Sequence, residues 1–359
     1  MDTTTSATSN ATQTPNNNGL VPRLQLNDPT FVAYIAVMTV ILAVGFVGNV
    51  LTIAVLRCRE HRNKSISPLM INLAVADIII IVFGYPVVVA ANVSSGLLIH
   101  STCVWSGFVN GAVGIASIAN LTMMSLVMYS SFQSLNCTTK IPGTKMAAMI
   151  AFTWLYGILA MFPPLVGWNE FVPGASGISC CPNWVPETKA GVAYNALLVF
   201  VGFVLPLSVI IYCYYRIYSF IRTQQPLSEN VSIRNTRRKH QIKLVRMIAM
   251  AIAAFVLSWS PYCFVSIIAT IRGTNMLTPG EAEIPDLLAK ASVIYNPIVY
   301  TAMNDKFRAS LPHVIPCYRY CSRDYRSSVI SRSNSRSREY EANTNTLERK
   351  RHSQCKTQP

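Results

Sequence analysis

Charge is what this sequence lacks most. Only 13% of its 359 residues are Asp, Glu, Lys or Arg, about half the share found in an average soluble domain, while 51% are hydrophobic. No water-exposed fold could hide so much apolar sequence, so one membrane domain is expected in place of two or three soluble ones. Acid is scarcer than base, with 15 Asp+Glu against 30 Lys+Arg. The basic excess gathers in short clusters beside the apolar runs and near the C-terminus, which suits the inner face of a membrane and argues against nucleic-acid binding. Residues 1–30 lack an apolar core preceded by a basic region, so no cleavable signal peptide is expected and the first apolar run is expected to direct insertion. Neither an inverted repeat nor a pair of broken helices is visible, which argues against a transporter.

What is present is a series of apolar runs of about 20 residues or more. They cover Phe31–Val55, Leu69–Val93, Val104–Tyr129, Met146–Val166, Val192–Ile217, Leu244–Thr270 and Ile284–Met303. The expected fold is all-α, a seven-helix membrane bundle over residues 31–303. Basic residues follow the first run (Arg57, Arg59, Arg62, Lys64), the third (Lys140, Lys145) and the fifth (Arg234, Arg237, Arg238, Lys239, Lys243). These loops are therefore expected in the cytoplasm, with the N-terminus outside the cell membrane. Residues 1–30 become an extracellular arm in which Asn10 opens a glycosylation sequon. Residues 304–314 read as a short amphipathic helix on the inner surface, with Cys317 and Cys321 placed for palmitoylation. Residues 315–359 are polar, basic and rich in serine (Ser327, Ser328, Ser331, Ser333, Ser335, Ser337), and are expected to be disordered. Phosphorylation by a receptor kinase would add negative charge and create an arrestin-type docking surface; a solvated tail without a partner is the alternative.

Several embedded residues break the apolar pattern, and each is costly at membrane depth. Asn49 lies in the first run, Asp77 in the second, Trp154 in the fourth and Pro206 in the fifth. Ser258-Trp259-Ser260-Pro261 lies in the sixth and Asn296-Pro297-Ile298-Val299-Tyr300 in the seventh. In order and spacing this set resembles the rhodopsin-like G-protein-coupled receptors over residues 30–311. Pro206, Pro261 and Pro297 each remove a backbone hydrogen bond and offer a hinge. The resemblance implies switching roles for Pro261, Pro297, Tyr214 and Tyr300, and a polar network or sodium site joining Asp77 to Asn49 and Asn296. It also implies a disulfide between Cys103 and Cys180, with Trp184 the aromatic four residues on and Cys181 left without a role.

Lys290 narrows the resemblance. It stands six residues before Asn296, inside Leu287-Leu288-Ala289-Lys290-Ala291-Ser292-Val293-Ile294-Tyr295, too deep for its amine to snorkel easily to water. An amine kept from water can be held neutral, and the neutral amine is the nucleophile that condenses with an aldehyde. This segment resembles the retinal-attachment segment of animal opsins. The resemblance implies retinal held as a Schiff base on Lys290, a light-driven switch, a heterotrimeric G protein as partner, and no catalytic residues or metal. The bland alternative is a structural lysine paired with an acid. Trp259 and Tyr262, one turn apart, would form an aromatic slot with Gly114 leaving room for a polyene.

A protonated Schiff base needs an anion nearby. Opsins commonly carry a glutamate three residues after the third-helix cysteine or just after a proline in the second outer loop; here those positions hold Ser106 and Gly174. Asp286, four residues before Lys290 on one helical face, is the counterion candidate; the alternatives are a carboxylate hydrated at the mouth, a chloride held near Ser106, and a deprotonated ultraviolet pigment. Glu170, Glu281 and Glu283 are expected nearer the surface. The missing glutamates are similar to the pattern in opsins of corals and sea anemones. A second departure is Val127-Met128-Tyr129 where the family carries an acid, Arg and Tyr, which puts G-protein coupling in question. It keeps open a retinal photoisomerase, and beside it a chemosensory receptor with a non-covalent ligand. A homodimer is also compatible with the sequence.

Overall fold

The computed structural model describes residues 29–62, 64–86, 100–133, 141–174, 179–223 and 232–314. Asn10, Lys140, Cys317, Cys321 and the tail serines lie outside the described residues. Helices α1 (Pro29–Leu56), α2 (Ser67–Ile79), α3 (His100–Gln133) and α4 (Gly143–Met161) form the first four spans. The fifth joins α5 (Lys189–Val199) to α6 (Leu205–Thr223), and α7 (Ser232–Arg272) is the sixth. Helix is the form in which an apolar run satisfies its backbone inside lipid, and six of the described helical stretches are long and apolar enough to cross a membrane. A π turn extends α2 over Ile80–Gly84, and another, Phe200–Val204, joins α5 to α6 just before Pro206.

Sequence reading expected one continuous seventh span over Ile284–Met303, and the structure corrects it. The span is two helices, α8 (Pro279–Lys290) and α9 (Ser292–Met303), meeting at Ala291. Neighbouring helices satisfy carbonyls around the break. Pro297 cannot donate to the Val293 carbonyl, and Asn49 Nδ2 donates to that oxygen instead at 2.9 Å. Ser258 Oγ donates to the Leu288 carbonyl, and Ile294 N bonds the Ala291 carbonyl in a tighter i→i+3 turn. Lys290 is therefore the last residue of α8, at a bend.

Small residues let the spans approach backbone to backbone. A Cβ on Gly157 of α4 would lie 2.1 Å from the Ala112 carbonyl oxygen of α3, and one on Gly48 of α1 would lie 2.9 Å from Pro297 of α9. The main core, including Leu69, Leu73, Leu121, Met124, Ile248 and Tyr300, fills the half of the bundle near α10 (Asp305–Val314). There Phe307 is buried against Tyr300 and His61. His61 Nε2 lies 3.2 Å from Ser310 Oγ, and Lys64 Nζ lies 3.2 Å from His61 Nδ1. At the opposite end a hairpin of β1 (Phe171–Pro173) and β2 (Cys180–Pro182) pairs antiparallel, Val172 opposite Cys181. It is tied to the head of α3 by a Cys103–Cys180 disulfide.

Candidate ligand-binding site

Beneath the hairpin, α3, α5 with the π turn that follows it, α7 and α8 enclose a mostly apolar cavity with about 990 Å³ of empty space counted out to its open mouth. Glycines on one face of α3 draw neighbours inward. A Cβ on Gly107 would lie 2.6 Å from Phe171, on Gly111 2.1 Å from Met161, and on Gly114 3.1 Å from Trp259. Gly114, expected to leave room for a ligand, lines the cavity with the Trp259 ring packed beside it. Trp259 stacks on Phe255 at 5.7 Å and meets Tyr262 edge-on at 6.1 Å. The Tyr262 hydroxyl accepts from Trp184 Nε1 at 3.0 Å, which ties the segment after β2 to α7.

Polar chemistry is concentrated at one wall, where Lys290 and Asp286 form an ion pair with side chains only 8% and 13% exposed. Lys290 Nζ also donates to Tyr34 Oη at 2.8 Å, and Tyr34 in turn donates to Asp286 Oδ2 at 2.9 Å. Ser179, from the hairpin loop, donates to the other carboxylate oxygen at 3.1 Å. Lys290 Nζ lies 5.6 Å from the Tyr34 ring centre and 5.5 Å from that of Tyr85, within cation–π range. Cys181 also lines the cavity. Desolvation pushes its thiol up to about 12, which leaves it protonated and unreactive.

The remaining predicted residues are placed elsewhere. Ser106 is fully buried between spans, donating to the Gly84 carbonyl at 3.1 Å and accepting from Asn110 Nδ2 at 3.0 Å, and it does not line the cavity. Asn296 donates to Asp77 Oδ2 at 3.0 Å, whereas Asn49 serves the backbone of Gly45 and Val293. Glu283, expected near the surface, is buried at 7% exposure. Glu281 caps α8, where the Thr278 backbone N–H holds its carboxyl below the usual range. Tyr214 bonds the Val245 carbonyl at 3.3 Å. Sequence reasoning missed Tyr34 and Ser179. The first is a hydroxyl in the outer, apolar part of span one, Phe31–Met38, which was a usable signal; the second is placed by a loop conformation that residue types do not reveal.

A model of the seven-transmembrane receptor (rhodopsin family) matches residues 48–300. The chain belongs to the rhodopsin family of seven-transmembrane receptors. Its relatives include animal opsins. The receptor is 34% identical over 290 residues to a melanopsin from Phodopus sungorus, covering 78% of this chain and 62% of that one. It is 28% identical over 312 residues to a Gq-coupled rhodopsin from Mizuhopecten yessoensis, covering 82% and 62%. The receptor thus spans about three fifths of the length of these curated relatives. The crystal structure of squid rhodopsin superposes with a TM-score of 0.71 at 23% identity, covering 83% of this chain and 93% of that one, which fixes the fold.

Proposed function

We propose that the receptor is a light sensor that holds retinal through a Schiff base on Lys290, with Asp286 as the anion beside it. The observation that carries this reading is a buried lysine, ion-paired to an acid on its own helix, at the wall of an apolar cavity. The residues fit the group: one primary amine for an aldehyde, and aromatic and aliphatic walls for a polyene. Retinal supplies light absorption and a change of shape. Lys290 supplies the nitrogen, whose condensation with an aldehyde forms a C=N bond and releases water. Asp286 Oδ2 would take the ammonium's proton before that step, return it to the imine nitrogen after water has left, and then face the resulting cation as the anion. It fills the anion role without a separate chloride. Trp259, which lines the cavity from α7 and donates Nε1–H to Ser292 Oγ at 3.3 Å, passes a change in ligand shape to the Pro261 hinge two residues on.

The basic loops put α10 and the inner core in the cytoplasm and the hairpin outside the cell membrane. A heterotrimeric G protein is the partner this family reading supports, docking near Tyr214 and Tyr300, with arrestin and a receptor kinase acting on the tail. Val127-Met128-Tyr129 favours one second reading, a retinal photoisomerase that couples weakly or not at all. Borohydride reduction of retinal-loaded receptor followed by peptide mapping tests the attachment. A retinyl group on the peptide containing Lys290 is expected; a retinyl group elsewhere, or none, refutes it. Light-dependent nucleotide exchange on added G protein then separates the sensor from the isomerase.

A further inference from the structure

We infer that Tyr34 is a positioning residue for the anion: its hydroxyl holds Asp286 charged and in place when Lys290 is no longer a free ammonium. This rests on the reading of Lys290 and Asp286 given above. A lysine ammonium has three N–H donors, and here it serves Asp286 and Tyr34 together. Once the nitrogen is condensed with an aldehyde it keeps at most one N–H. One of the two contacts must then be given up, and the carboxylate loses part of what faced it.

The Tyr34 contact survives that loss, because its proton is already committed to Asp286 Oδ2 at 2.9 Å, while Ser179 serves Oδ1 at 3.1 Å. The tyrosine comes from α1, whereas both charged residues sit on α8. The carboxylate is thus held from outside its own helix. Tyr34 is 3% exposed, so no water competes freely for the contact. The other titratable groups facing this cluster are Glu283 on α8, Tyr85 at the end of span two, Tyr262 on α7 and Cys181 on β2. Among the described residues, Tyr34, Ser179 and Lys290 donate hydrogen bonds to the Asp286 carboxylate.

Acidification of the retinal-loaded receptor in the dark reads the contact. An anion beside the nitrogen stabilises the ground state, so protonating that anion moves the visible band to the red. In Tyr34→Phe the transition is expected at a pH higher by roughly one to two units, the size of one hydrogen bond to a charged group. In Tyr85→Phe, which keeps the ring near Lys290, it is expected to stay within a few tenths of a unit. If Tyr34→Phe does not take up retinal, 3-fluorotyrosine at position 34 is used, a stronger donor that is expected to lower the transition. The retinal-free receptor gives an independent reading: the acid limb of its thermal stability should begin at higher pH in Tyr34→Phe. An acid transition unmoved or lowered by Tyr34→Phe, with a normal visible band, overturns the role of Tyr34 and leaves the retinal reading standing. Absence of any retinal-dependent band, visible or ultraviolet, with the acid limb still shifted, overturns the retinal reading and leaves Tyr34 as the residue holding Asp286.

Discussion

Breaking the Lys290–Asp286 pair in the retinal-free receptor should cost more from one side than from the other. With side chains 8% and 13% exposed, neither charge has water to fall back on, and removing one partner of such a pair typically costs about 3–5 kcal/mol. In Asp286→Leu the ammonium retains the Tyr34 oxygen and the faces of two rings, so a loss near 3 kcal/mol is expected, at the lower end of that range. In Lys290→Met the carboxylate keeps its donors Tyr34 and Ser179, which reduces the loss to about 1–2 kcal/mol, since hydrogen bonds to a charged group are each worth about 1.5–3 kcal/mol. The double variant removes both charges and should recover most of the loss, because well-packed apolar replacements of a buried pair are often neutral or better. The assay is unfolding of the receptor in mixed micelles over a denaturing-detergent series, with all three variants and the parent measured together. Single variants each within about 0.5 kcal/mol of the parent, or strictly additive losses in the double variant, would refute a charged and mutually dependent pair.

Gly157→Leu should fail to assemble, because even a Cβ would strike the Ala112 carbonyl oxygen at 2.1 Å; recovery of folded, monodisperse receptor at parental yield would contradict the close α3–α4 contact. Cys103→Ser opens a disulfide spanning 77 residues, for which loop entropy allows at most about 4–5 kcal/mol, and a lower thermal midpoint that reducing agent reproduces in the parent is expected. His61 is held below its ordinary pKa by burial and by Lys64. Its neutral form therefore contributes stability that is present above the unfolded imidazole's pKa, about 6.5, and is lost as pH falls through that value. His61→Gln should flatten the stability profile between about pH 7 and 5; an unchanged slope would show that His61 does not titrate on unfolding.

Apolar runs and their bordering charges made the spans readable, because lipid leaves an apolar stretch few options besides helix. Lys290 and Asp286 were readable for the same reason, since a charge at membrane depth is expensive and their spacing of four already places them together. The break after Lys290 was not readable. It depends on Asn49 and Ser258, which reach from other helices to the Val293 and Leu288 carbonyls, and local sequence carries no record of such donors. Gly114 shows a related limit. A glycine in a helix signals close approach, but only the fold reveals that the approaching group is Trp259. Ser106 was read by its position in a family pattern, and the structure gives its hydroxyl to span two instead.

The central claim is tested most directly by the ultraviolet-visible spectrum of purified receptor reconstituted with cis-retinal, recorded in the dark and after illumination beside Lys290→Ala. The account predicts a visible band that requires Lys290 and changes with light. A band confined to the ultraviolet would contradict Asp286 as the standing anion, and the absence of any retinal-dependent band in well-folded receptor would contradict the retinal reading itself.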